Sequence, residues 1–250
     1  MRKIFCFALP VIFLAASSAT FGADFWENKQ YDKWSQKECS KLLQNSPWAQ
    51  DFTLLDSELQ ESTKTSDDGQ QFHIKYQMQF RSALPVRQAI VRLMQIAQKY
   101  ESLGAEQKQQ FDQSANAFLS SGFPDAVVLY VTYETNSRTT EMELARYWQS
   151  QTADLLKNRV FLRNSRGEQV ALAQYNVSQG GEHSFQFIFP RQVDGKPLVG
   201  PEDKSLMLEF TYPAVNIPGG YRKLPADGKD GNGFMEFKPK KMIFQGNLVY

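Results

Sequence analysis

The stretch that most limits what this chain can fold into is Gln71 to Tyr100, QFHIKYQMQFRSALPVRQAIVRLMQIAQKY. Phe72, Ile74, Tyr76, Met78 and Phe80 occupy every second position, with His73, Lys75, Gln77, Gln79 and Arg81 between them. That period of two predicts a strand with one buried and one solvated face. On this reading Phe80→Asp unfolds the protein and Gln79→Asp is tolerated. After Arg81 the period changes. Pro85 suits the first turn of a helix, and Val86, Ile90, Leu93, Met94 and Ala97 recur at helical spacing. One strand passes directly into one amphipathic helix, and both need the same core.

Upstream, Arg2 and Lys3 precede an apolar run from Ile4 to Ala16, followed by small residues ending in Ser18-Ala19 or Phe21-Gly22-Ala23. This pattern predicts a cleaved signal peptide over residues 1–23, because the run is too short to span a bilayer. A mature start between Thr20 and Asp24 is expected, with export to the periplasm or outside the cell. Cys6 lies at the start of the apolar run, whereas a lipidated cysteine would follow it. No later stretch is long and apolar enough to span a membrane as a helix. Losing Arg2 and Lys3 lowers the 28 basic residues to 26, against 27 acidic. Without a dominant basic patch, nucleic acid is not expected as a partner. Cys39 becomes the only mature cysteine, so stability must come from a core and not from an internal disulfide.

Along residues 24–250, a single domain is expected, with a possible division into a helix-rich part, 24–157, and a strand-rich part, 158–250. Ser35 and Glu38 have capping-box spacing before a helix from about Gln36 to Gln44. Phe25, Trp26, Tyr31, Trp34 and Trp48 bracket that helix. They could stack on a sugar or pin the helix to the body, and pinning is the commoner use of such rings. Asp51 to Gln60 reads as a strand, Ala105 to Ser120 as a surface helix, and Ala126 to Tyr133 as a central strand. Thr140 and Glu143 suggest a second capping box, opening a helix to about Lys157 with Leu144, Trp148 and Leu155 inside. Strands are then expected at 160–163, 169–175, 184–189, 205–212 and 242–250. The fold class is α+β, mainly antiparallel sheet packed with three or four helices.

Several spaced motifs carry a resemblance. Trp34-Ser35 with Glu38, Ser46-Pro47-Trp48-Ala49, Ser82 to Arg87 (SALPVR), Phe189-Pro190-Arg191 and Pro239 to Gly246 (PKKMIFQG) span most of the mature chain. The set resembles a family of uncharacterised exported proteins of acidobacteria. That resemblance implies export and a shared fold, and no activity, cofactor or site residue comes with it.

The chemistry-bearing residues are sparse. Two histidines, His73 and His183, are too few for a His-rich metal site. Cys39 has no nucleophile signature around it and reads as a small buried side chain. No G-x-S-x-G elbow is present, and Gly219-Gly220 does not continue as a phosphate-binding loop. Asp227 to Gly233 fails as a calcium loop in both registers. Neither catalytic nor metal-binding residues are assigned, and no cofactor is expected. The expected role is a non-enzymatic binding or interaction module for a protein or other envelope component. The rival reading is a hydrolase cutting envelope polysaccharide through two carboxylates. The expected contact region is the loop Pro213 to Lys241, rich in Gly and Pro, where Tyr221, Arg222 and Lys223 offer a ring, a planar cation and a point charge. Shortening Gly219–Gly233 is expected to leave folding intact.

Overall fold

The alternation at residues 72–80 becomes the second strand of the larger of the two main sheets. The structure is a computed structural model that describes residues 24–55, 72–178, 183–218, 223–225 and 227–250. Its helices are α1 (Phe25–Asn28), α2 (Gln36–Gln44), α3 (Leu84–Ala97), α4 (Ala105–Ser120), α5 (Arg138–Ser150) and α6 (Ala153–Leu156). The first strands are β1 (Ala49–Leu55), β2 (His73–Phe80), β3 (Ala126–Thr135), β4 (Phe161–Asn164), β5 (Gln169–Ala171), β6 (Gln174–Val177) and β7 (Ser184–Pro190). After them come β8 (Gln192–Val193), β9 (Lys196–Pro197), β10 (Leu206–Tyr212), β11 (Val215–Asn216), β12 (Lys223–Leu224), β13 (Gly231–Phe237), β14 (Ile243–Phe244) and β15 (Asn247–Leu248).

The larger sheet runs β1-β2-β3-β7-β6 and the smaller β13-β10-β4-β5, and every pairing in both is antiparallel. This is the α+β arrangement the sequence predicts, with a strand-rich C-terminal half. Ile74, Tyr76, Met78 and Phe80 are all buried. Their rings meet the second sheet directly: Tyr76 packs edge-on against Phe210 at 5.7 Å, and Phe80 against Phe237 at 4.7 Å. Beyond the reach of that sheet, α5 covers the same face, and Trp148 stacks on Phe185 at 4.2 Å. Edge-on and offset ring pairs of this kind add to area burial, so the core gains directional as well as hydrophobic stabilisation.

The solvated face of β2 departs from expectation at one place. Gln79 is 6% exposed because α2 covers it, and its amide donates to the Leu43 carbonyl at 2.8 Å. Alternation fixes which way a side chain points, and only packing decides whether water reaches it.

Local signals set most boundaries. Ser35 and Glu38 form the reciprocal capping box at α2, and Pro85 lies in the first turn of α3. Arg87, buried in α3, donates to the Phe118 carbonyl and to Ser121 Oγ, placing a cation at the carbonyl end of α4 and tying the two helices together. The expected cap at Thr140 is displaced. Ser137 caps α5, its Oγ accepting from the Thr140 N–H at 3.3 Å, and Glu143 instead accepts from the backbone and side chain of Asn216. That helix also stops at Ser150. Thr152 caps a new short one, in which Leu156 is buried and Leu155 stays exposed.

Three further expectations change. The strand expected over 169–175 is two strands in different sheets: β5 pairs with β4, and Leu172-Ala173 carries the chain across to β6, beside β7. The strand expected over 242–250 is the small β14–β15 hairpin, turned at Gln245 and Gly246, both at positive φ. The loop expected over 213–241 contains β13, which pairs with β10 from Leu206↔Phe237 to Tyr212↔Gly231. Its inward positions are Gly231, Gly233, Met235 and Phe237. The glycines are there because the Tyr212 and Phe210 rings fill their side-chain space: a Cβ on either would lie 2.4 Å from a ring carbon.

Candidate functional site

The loop expected to meet a partner is largely tied down where it is described. Tyr221 and Arg222 lie outside the described residues, and Lys223 opens β12, pairing with Asn216 of β11. Val215 and Ile217 are buried, Glu143 holds Asn216, and Arg159 pairs with Asp230, which also accepts from the Ala214 N–H. Because β13 begins at Gly231, excising Gly219–Gly233 would remove part of a core strand.

The other chemistry-bearing groups are engaged structurally. Cys39 is fully buried, and burial pushes its thiol up to about 11, away from the range of a nucleophile. His183 places Nδ1 3.1 Å from Glu141 and stacks on Tyr133. Among the described residues, no group of three or more His, Cys, Asp or Glu side chains could hold a metal ion. The densest carboxylate cluster, Glu168, Glu202 and Asp203, gathers on Arg166. Asp203 is buried and accepts from Ser165 Oγ and the Gly200 N–H, while hydrogen bonds from Asn164 and Arg166 hold the Glu168 carboxyl below its usual range. These acids clasp the β4–β5 turn to the 200–204 segment. Their charge is already spent on Arg166 and on backbone donors.

Cations without an ion pair among the described residues come together at the far end of the 213–241 stretch, where it meets the N-terminal segment. An open polar groove of about 370 Å³ lies between the N-terminal segment, the end of α2, the start of β1 and the end of β13. Asp24, Trp26, Lys41, Asn45, Ser46, Pro47, Gln50, Glu236, Lys238 and Lys241 form its walls. The aromatic residues of the N-terminal segment build its frame. Trp34 and Trp48 are fully buried, Trp26 sits edge-on to Trp48 at 5.7 Å, and Trp48 Nε1 donates to the Val249 carbonyl at 2.7 Å. The rings therefore pin α2 to the body, as the commoner reading of them expects, and only Trp26 also borders the groove.

The lysines arrive from two places in the chain, α2 and the turn after β13. Lys41 is in the last turn of α2, where a cation complements the carbonyl end of the helix. Lys238 follows β13, and Lys241 ends a short 3-10 turn at Pro239–Lys241. All three are exposed, and none makes an ion pair with another described residue. Elsewhere Lys29, Lys75 and Lys157 each hold a carboxylate at 2.8 to 3.0 Å. With Asp24 and Glu236 opposing three lysines, the groove carries a net charge of +1. Sequence reasoning included Lys238 and Lys241 in the expected contact stretch but singled out Tyr221, Arg222 and Lys223 within it, and it missed Lys41, which shares no local pattern with them. The available signals were the ring-rich N-terminal segment and the Pro239-Lys240-Lys241 run.

A second concavity, about 270 Å³, lies between α3 and α4 and is lined by Ile90, Val91, Met94, Phe111, Ser114, Ala115 and Phe118. It is almost wholly apolar, and its one polar side chain, Ser114, donates its hydroxyl to the Gln110 carbonyl of its own helix. No protein family model matches this chain, and no curated protein matches it either.

Proposed function

We propose that this is an exported, non-catalytic binding protein of the cell envelope whose groove at Trp26, Lys41, Lys238 and Lys241 takes an acidic saccharide. One observation carries the reading: Lys41 from α2 and Lys238 and Lys241 from the turn after β13 converge on one concavity, and none of them makes an ion pair with another described residue. Cations left unneutralised in a concave site favour an anion. The amides of Asn45 and Gln50, the Ser46 hydroxyl and the edge of Trp26 suit hydroxyl groups and a sugar ring. Lysine supplies point charges without the fixed fork of arginine, which fits carboxylates presented at variable angles. The open groove is large enough to seat one or two units of a longer saccharide, not a folded domain.

A second reading has an observation of its own. Asp24 and Glu236 border the same groove, so a carboxylate pair faces whatever occupies it. Both are exposed, without the apolar enclosure that keeps an acid catalyst protonated. Calorimetric titration with trigalacturonate and with its methyl ester separates the readings. Binding of the acid, little binding of the ester, and a loss of about five-fold per Lys→Gln change at 41 or 241 support the proposal, since a surface charge pair is worth up to about 1 kcal/mol. Equal binding of acid and ester overturns it. Shortened oligomers after incubation, abolished by Glu236→Gln, would favour the hydrolase.

A further inference from the structure

We infer that removal of the leader completes this groove, because cleavage after Ala23 would create a new cation on its wall at the α-amino group of Asp24. The inference rests on the export and groove readings above. Asp24 lines the groove, and its backbone is held in place: its carbonyl accepts from the Glu27 N–H at 3.0 Å, and the adjoining Trp26 is buried against Trp48. In the uncleaved chain the nitrogen of Asp24 is a neutral amide. In a chain that starts there it is an ammonium with no flexible side chain of its own, fixed as firmly as the backbone that bears it.

The electrostatic change is large for so small a site. Lys41, Lys238 and Lys241 against Asp24 and Glu236 give a net charge of +1, and the new terminus raises it to +2. The charged groups that line the groove with that terminus are the Asp24 carboxylate on its own residue, Lys41 on α2, and Glu236, Lys238 and Lys241 at and after the end of β13. An α-amino group ordinarily titrates near pH 7.7 to 8.0, about two units or more below a lysine. It is therefore the group in this site whose charge would vanish first as pH rises. Binding of an anionic ligand would then tighten on export, and would be strongest at or below neutral pH.

The test uses two forms of the chain beginning at Asp24, one with a free α-amine and one acylated selectively near pH 6.5, where lysines stay protonated. Each is titrated with trigalacturonate between pH 6 and pH 9.5. The free form should bind about three- to five-fold more tightly at pH 6.5, and its advantage should disappear by pH 9.5. Equal affinities at both pH values, with Lys41→Gln still weakening binding, overturn this inference and leave the groove reading standing. If Lys41→Gln and acylation are both silent, the groove reading fails, and this one with it. Intact-mass measurement of the exported protein is a separate check, and a mature chain starting anywhere but Asp24 overturns the inference directly.

Discussion

Strands β2 and β13 do the same job in opposite sheets, and their sequences could hardly differ more. β2 spells its inward face with Ile74, Tyr76, Met78 and Phe80. β13 spells half of its inward face with Gly231 and Gly233, because Tyr212 and Phe210 on the neighbouring strand reach across and occupy the vacant side-chain space. A core position can thus be filled from next door. Glycine in a strand then records a ring on its partner and not a break in the sheet.

The largest effects should come from breaking either strand. Phe80→Asp removes a fully buried ring, at about 3–5 kcal/mol before the charge is desolvated, against a total stability of about 5–15 kcal/mol. Excising Gly219–Gly233 should be as severe, since it deletes the pairs that bind Gly231, Asn232 and Gly233 to β10. Circular dichroism should show both variants unfolded. A folded excision variant would mean that β13 adds little to the core.

Next in size is Gly233→Val, which drives two methyl groups toward the Phe210 ring, and overpacking of this kind costs about 1–3 kcal/mol. Phe210→Ala destabilises by itself, but in its background the valine should cost less. Thermal melts of the four proteins give the coupling. Strict additivity would show that the ring does not fill the glycine's space.

The comparison also explains what was legible beforehand. Alternation revealed β2, a continuous apolar run β3 and a capping box α2, because those signals lie within one turn or one strand. β13, the switch of sheets at Leu172-Ala173 and the Ser137 cap depend on groups far away in sequence: Phe210, the β7 edge and Asn216 drawing off Glu143. The groove was illegible as a site for the same reason, Lys41 lying far in sequence from Lys238 and Lys241.

Smaller effects sharpen the reading of the polar face. Gln79→Asp should cost about 1–3 kcal/mol, since it deletes the donor to Leu43 in a covered position and leaves the carbonyl unpaired. A neutral result in urea unfolding would return Gln79 to the solvent. Smallest of all is acid sensitivity at the α2 cap. Hydrogen bonds from Lys29 and from the Ser35 backbone lower the Glu38 carboxyl from its ordinary 4.5 to about 2. Its folded value lies below the unfolded one, so its contribution is complete above pH 4.5 and fades as pH falls toward 2. The effect is modest because the pair is partly exposed, and Glu38→Gln should flatten that part of the stability curve.

The central functional claim, that ligand meets the groove and not the Tyr221–Lys223 end of the 213–241 stretch, is tested most directly by amide chemical-shift mapping with trigalacturonate on the isotope-labelled protein beginning at Asp24. Saturable shifts concentrated at Lys41, Asn45, Ser46, Gln50, Lys238 and Lys241 are the predicted result. Shifts confined to Tyr221, Arg222 and Lys223, with the groove amides unmoved, would contradict it.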